Sequence, residues 1–225
     1  NAFISAIMIF TYYFCIKIIF MSRPITVYAE MTPNPATMKF VADVVLINDG
    51  ESVEFLSKAE AVGHSSFAEA LFKFPFVSSV FIASNFVTIT KTAAIDWNLV
   101  MHSLREFVKD WLMEHEVVVE KIPESRKIEI QGDKGSEIVS EEPEINTELD
   151  KIIFELLEEY VKPAVEQDGG AIFFKSSDEP TGKVTVVLKG SCSGCPSSTA
   201  TLKGGIETLL KSHVPEVEEV VALEG

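Results

Sequence analysis

After an apolar opening run, the hydrophobic positions fall into blocks with alternating strand-like and helix-like spacing. Residues 2–20 are almost wholly apolar, with Lys17 as the charge among them. A run of that length could span a bilayer as a helix. A secretory signal fits it poorly, because the start is uncharged and no small-x-small cleavage site follows. Met21 directly precedes Ser22-Arg23-Pro24 and the start of a globular pattern. Residues 1–20 are therefore expected to be a non-native leader or, alternatively, a membrane segment, with Cys15 inert within it. From there, 25–29 and 40–46 read as strands flanking the turn-prone Thr32-Pro33-Asn34-Pro35. Phe67, Ala70, Leu71 and Phe74 give 66–74 a helical face. Strands over 77–83 and 86–91 are separated by Ser84-Asn85, a hairpin signal. A helix over 97–113 carries Leu104, Phe107, Val108, Trp111 and Leu112 along one face and closes a first domain at 24–113. His64 and His102 stand alone there and read as surface or packing residues.

A second domain follows over 147–225. Thr147 suits a helix N-cap, with Glu148 and Asp150 in the first turn. Ile152, Ile153, Leu156, Leu157, Tyr160 and Val161 repeat at helical spacing until Pro163 bends or ends the helix. Asp168-Gly169-Gly170 supplies positive-φ positions for a turn into a strand at 171–175. Glu179-Pro180-Thr181-Gly182 turns into a β-branched strand at 183–189. Residues 197–213 form a second helix with Leu202, Ile206, Leu209 and Leu210 inward, and 217–223 add a last strand. The fold class expected is α+β: two small α/β-sandwich domains joined by an acidic flexible linker.

The linker is placed by charge. Residues 114–150 carry 12 acidic and 4 basic residues, whereas 1–113 carry 10 and 8, and 151–225 carry 12 and 7. A stretch with so few apolar groups cannot offset its ordering entropy, so 114–146 reads as a solvated spacer. The whole chain of 225 residues has a formal net charge of −15, which repels phosphate backbones and anionic membrane surfaces and argues against nucleic-acid binding. Three cysteines cannot staple a chain of this length, so the setting expected is reducing and cytoplasmic.

Two of those cysteines lie together in Gly190-Ser191-Cys192-Ser193-Gly194-Cys195-Pro196, between a strand and a helix. The C-x-x-C spacing turns both sulfurs toward one point, and Pro196 suits the head of the helix. The positive end of that helix is expected to lower the thiol pKa values and make both groups good ligands or nucleophiles. Three chemistries compete. A structural zinc site needs four protein ligands, and the second domain adds only His213, at the far end of the helix. A thioredoxin-like thiol–disulfide oxidoreductase needs a βαβ unit around the motif, and here a helix precedes the two strands. An iron–sulfur cube needs four thiolates, which two C-x-x-C loops brought together on a two-fold axis would supply.

The runs Val165-Glu166-Gln167-Asp168-Gly169-Gly170, Leu188-Lys189-Gly190-Ser191-Cys192-Ser193-Gly194-Cys195-Pro196-Ser197-Ser198, Thr201-Leu202-Lys203-Gly204-Gly205-Ile206-Glu207 and Val214-Pro215-Glu216-Val217 resemble the C-terminal domain of the Nfu (NifU-like) iron–sulfur scaffold and carrier proteins. Thr32-Pro33-Asn34-Pro35, Met38-Lys39-Phe40, Ala70-Leu71-Phe72, Phe76-Val77-Ser78-Ser79-Val80-Phe81, Phe86-Val87-Thr88-Ile89-Thr90-Lys91 and Trp97 resemble its N-terminal domain. The resemblance implies that Cys192 and Cys195 of two subunits hold a [4Fe–4S] cluster, with [2Fe–2S] the alternative, in a homodimer formed on loading. It implies receipt of the cluster from an upstream assembly scaffold and delivery to apo client proteins, without catalytic residues or enzymatic turnover. The N-terminal domain is expected to help recognise clients. Ala171 departs from the family pattern, standing where an acidic residue commonly follows Asp-Gly-Gly. Asp168-Gly169-Gly170 reads as a structural turn, Ser197, Ser198 and Thr199 as helix caps, and Lys189 and Lys203 as surface residues or as charge partners for the thiolates.

Overall fold

The computed structural model describes residues 24–48, 50–123, 127–132, 135–140, 144–194 and 196–224. The leader with Cys15, and Cys195 of the cysteine pair, lie outside the described residues. The first domain is a five-stranded antiparallel sheet built from β1 (Val27–Met31), β2 (Thr37–Ala42), β3 (Ser52–Phe55), β4 (Val77–Ala83) and β5 (Phe86–Lys91), in the order β1-β2-β5-β4-β3. Two short helices, α1 (Lys58–Ala61) and α2 (Ser66–Leu71), lie between β3 and β4, and the long α3 (Trp97–Glu114) follows β5. Side chains alternate across the strands. Phe40, Val53, Phe55, Val80, Ile82, Val87 and Ile89 share a core with Val100, Leu104, Val108 and Leu112, which recur every fourth residue on α3. The hairpin expected at Ser84-Asn85 forms, with Ser84 at a positive φ of 44°.

This domain departs from the sequence expectation in its first two strands, which lie at Val27–Met31 and Thr37–Ala42 rather than at 25–29 and 40–46. Strand β3 and helix α1 are absent from that expectation, because four residues are too few to show a period. The stretch after α3 is also not wholly solvated spacer. Val118 is buried in the first domain's core, Ser65 Oγ donates to the Val118 carbonyl at 2.7 Å, and the Glu120 carboxylate accepts from Ser66 N at 2.9 Å. Further on, β6 (Lys127–Gly132) and β7 (Gly135–Ser140) pair as an antiparallel ribbon. Charge composition alone did not reveal it, although Ile128 and Ile130 alternate with Lys127, Glu129 and Gln131 at strand spacing.

The second domain opens with α4 (Glu148–Leu156) behind a capping box, in which Thr147 Oγ1 accepts from Asp150 N and Asp150 accepts from Thr147 N. Pro163 does not end this helix. A π-helical turn at Leu157–Val161 absorbs it, and α5 (Lys162–Gln167) continues with Pro163 in its first turn, where its missing N–H is harmless. Ile153, Leu157, Val161 and Val165 face the core, whereas Ile152 and Tyr160 are exposed, so the apolar face is narrower than its residue pattern suggested. Strands β8 (Gly170–Asp178) and β9 (Lys183–Gly190) pair antiparallel, and β10 (Glu219–Glu224) adds parallel to β9 after α6 (Pro196–His213). Ile206 and Leu210 anchor α6 in that core.

Among the described residues, no helix is long and apolar enough to cross a membrane. The two domains touch. Phe81, Ala83 and Phe86 of the first sheet form an apolar cluster with Ala171 of the second, joined by Val41 and Phe173.

Candidate functional site

The site lies where β8 begins and β9 ends. Gly170 pairs with Gly190, so the Asp168–Gly170 turn and the cysteine loop sit at the same end of two adjacent strands. The connection is detailed: Ser191 N donates to the Gly169 carbonyl at 3.2 Å, and Ser191 Oγ donates to the Asp168 carbonyl at 2.5 Å. Ser193 N and Oγ both donate to the Gly190 carbonyl, closing the loop tightly. Thr199 Oγ1, on the first turn of α6, donates to the Cys192 carbonyl at 3.1 Å, and Gly194 N donates to the Glu224 carboxylate at 3.2 Å. The loop is thus held from the turn, from the helix and from the last strand.

The Cys192 side chain is 7% exposed and lies against Gly170, where a Cβ would stand 2.7 Å from its Sγ and 2.7 Å from the Lys189 carbonyl oxygen. The Asp-Gly-Gly motif therefore makes room for the cysteine as well as turning the chain. Beside the thiol opens a cleft of about 620 Å³, lined by Tyr160, Val161, Thr201, Leu202, Ile206 and Leu209 among others, with Pro33 of the first domain in its wall. Asn34 Nδ2 donates to the carbonyls of Ser191 at 3.2 Å and Ser193 at 3.4 Å, the residues on either side of Cys192. The proline-flanked run around Asn34 was legible as a rigid turn; its partner, 157 positions away, was not.

The thiol itself corrects an expectation. Burial pushes the Cys192 pKa up from 9.0 to about 11, the Ser191 hydroxyl pulls it down, and the Asp168 carboxylate raises it further. Desolvation of the thiolate outweighs any help from the helix end. Cys195 lies outside the described residues, as do the side chains of Ser197 and Ser198. Lys203 pairs with Glu219 at 3.5 Å, and Lys189 Nζ sits 5.4 Å from the centroid of the Phe173 ring. His213 Nδ1 faces the Leu209 carbonyl at 3.0 Å on its own helix, and His64 Nδ1 faces the Val62 carbonyl at 3.2 Å. Among the described residues no group of three His, Cys, Asp or Glu side chains converges as a metal site.

Fold and loop together define a two-domain α+β protein with a cysteine loop set between a glycine turn and a helix N-terminus. A family model described as the N-terminal domain of scaffold protein Nfu/NifU matches residues 27–115, and one described as the NifU-like domain matches residues 153–221. The chain belongs to the Nfu family of scaffold proteins. It is 33% identical over 91% of its length to a Drosophila willistoni protein named a mitochondrial NFU1 iron–sulfur cluster scaffold homologue, spanning 66% of that relative. It is 32% identical over 88% of its length to a NifU-like protein of Schizosaccharomyces pombe, spanning 73% of it. The chain thus covers about two thirds of the fly relatives it matches. A solution structure of a NifU-like protein from Saccharomyces cerevisiae aligns over 44% of this chain and 89% of its own, at 25% identity and a TM-score of 0.40. The expected cytoplasmic location is overturned by these matches: the fly relatives are named as mitochondrial, which points to that compartment.

Proposed function

We propose that this protein carries an iron–sulfur cluster as cargo, held through Cys192 and Cys195 of two subunits, and delivers it to apo client proteins in the mitochondrion. The observation that carries this reading is the cysteine loop itself. It offers two cysteines with two residues between them, the first against a glycine that makes room for it, just before a helix, and the rest of the chain adds only Cys15. A four-iron cluster takes four thiolates, so two loops must share it across a symmetry axis. The cargo supplies the positive charge that strips the protons from both thiols. Transfer then proceeds by exchange of these thiolates for cysteines of the acceptor, in which the protein turns over no substrate.

The burial of Cys192 counts against it as the exposed attacking sulfur of the rival thiol–disulfide oxidoreductase. Anaerobic reconstitution with ferrous iron and sulfide tests the carrier reading. It should give about two irons per chain, from four shared by two subunits, together with a shift from monomer to dimer. Cys192→Ala and Cys195→Ala should each abolish the cluster, and Cys15→Ala should not. A monomer that retains a whole cluster would overturn the shared-ligand reading.

A further inference from the structure

An antiparallel sheet covered by helices on one face commonly leaves the other face to water. Neither sheet of this protein does so at the centre of its second face. On the first sheet, the residues that alternate away from the helices are Lys39, Val41, Glu54, Phe81, Ala83, Phe86 and Thr88. On the second, Ala171, Phe173, Val187 and Lys189 take the corresponding positions. These faces meet. Phe81, Ala83, Phe86 and Ala171 make the apolar centre of the contact, and Val187 is 1% exposed.

Around that centre the polar groups are matched. Thr88 Oγ1 donates to the Gly169 carbonyl at 2.7 Å, and a Cβ on Gly169 would stand 2.9 Å from Thr88 Oγ1. Lys39, 8% exposed, donates to the carbonyls of Glu166 at 3.0 Å and Gln167 at 3.1 Å, capping the negative end of α5, while its ammonium lies 4.5 Å from the Phe86 centroid. Glu54, 5% exposed, accepts from Gly190 N at 3.3 Å. Asn34, 4% exposed, spans the carbonyls on both sides of Cys192. Buried Lys, Glu and Asn side chains are costly unless their partners are in place, and here the cysteine-loop end of the other domain supplies partners to all three, beside Glu30 for Lys39 and Ala36 N for Asn34.

We propose that the second face of the first domain's sheet is a docking surface for the cysteine-loop end of the second domain, and that loading of the shared cluster displaces it. The second half rests on the carrier reading above. The cleft is the approach to the Cys192 thiol, and Pro33 of the docked domain forms part of its wall. A second copy's loop seated there meets the 32–35 turn, so the docked chain and the cluster-bridged dimer exclude one another. The first domain thereby shields the ligand loop until cargo and a second subunit take its place.

Hydrogen–deuterium exchange on the full apo chain tests the docking. Two variants loosen it from opposite sides. Asn34→Asp with Thr88→Val keeps the acceptor that Ala36 N uses within the turn and removes the donors to the cysteine loop and the glycine turn. Ala171→Glu puts a carboxylate into the apolar seam, outside the second domain's core. Segments 168–174 and 186–194 should exchange about tenfold or more faster in both variants than in the natural chain, the change expected when docking weakens by about 1.4 kcal/mol. Segments 100–108 and 206–210, in the two cores, should exchange unchanged. Equal seam exchange in the natural chain and both variants would overturn the docking. After reconstitution with ferrous iron and sulfide, segment 81–88 of the loaded dimer should exchange at the undocked rate. A loaded dimer with the seam still slow would overturn the displacement and leave the carrier reading standing. A loaded monomer would overturn the carrier reading and the displacement with it, while the docking measured on the apo chain would stand.

Discussion

Gly170→Ala isolates the contact between the glycine turn and the cysteine. Gly170 has a negative φ, so alanine meets no backbone penalty there, and its effect is purely one of space. The added Cβ would stand 2.7 Å from Cys192 Sγ, 3.1 Å from Cys192 Cβ and 2.7 Å from the Lys189 carbonyl oxygen. Comfortable separations for such atoms are about 3.5–4 Å, so the sulfur and a strand carbonyl must each retreat by about 1 Å. Forcing a methyl into a packed interior costs about 1–3 kcal/mol. For a domain of this size each kcal/mol lowers Tm by about 4–8 °C. Thermal unfolding of the apo chain, followed by circular dichroism, should therefore show a fall of about 12 °C, taking about 2 kcal/mol at about 6 °C for each. A double-mutant cycle separates the sulfur from the carbonyl. In a Cys192→Ala background the Sγ clash is gone, so Gly170→Ala should cost about 1 kcal/mol less than in the natural chain. Additivity within about 0.3 kcal/mol would mean that the thiol does not require the glycine, and the account of the Asp-Gly-Gly turn as a seat for Cys192 would fail.

Two further predictions concern stability. Burial raises the Asp150 pKa, but hydrogen bonds from Ser177, Asn146 and Thr147 outweigh it and hold the carboxyl below its usual 3.8. A group whose folded pKa is lowered stabilises fully above its unfolded value, and that stability is lost as pH falls through the folded one. Asp150→Asn should therefore cost about 1–2 kcal/mol at pH 7, with the gap from the natural chain closing below about pH 4; a gap unchanged with pH in urea titrations would refute the assignment. Gly204 lies inside α6 with nothing within 4 Å of an added Cβ. Gly204→Ala should stabilise by about 1 kcal/mol, read as a Tm rise of a few degrees, and an unchanged or lower Tm would show a neighbour at that face.

Elements with their own local chemistry were legible in the sequence. The hairpin at Ser84-Asn85, the N-cap at Thr147, the break between Gly190 and Pro196 and the helix face of Leu104, Val108 and Leu112 each depend on residues a few positions apart. Features decided by distant partners were not. One trace of the docked seam lay in strands β4 and β5, where Phe81 and Phe86 interrupt the alternation expected of a sheet with one wet face. That pattern reports a second buried face without naming what covers it. Ala171 is the matching trace on the other side: an acidic side chain there would enter the cluster of Phe81, Ala83 and Phe86. The ribbon of β6 and β7 left a trace that charge counting hid: Ile128 and Ile130 alternate with Lys127, Glu129 and Gln131 before the turn-prone run Gly132-Asp133-Lys134-Gly135.

The thiol shows why a local rule failed at the site. A charge at a helix N-terminus gains about 0.3–1 kcal/mol, and about 2 kcal/mol when partly buried. The rise of the Cys192 pKa from 9.0 to about 11 corresponds to about 3 kcal/mol against the thiolate, after the Ser191 hydroxyl has helped it. Burial wins because Gly170 and the strand end enclose the sulfur. On the proposed carrier reading, the same magnitudes divide the life of the loop in two. Without cargo, a neutral thiol is the cheaper occupant of a covered pocket. With iron bound, the sulfur's charge is neutralised at the metal, and the reason for keeping it protonated disappears. A ligand that is quiet when empty and ionised by its own cargo suits a carrier better than a permanently reactive nucleophile would.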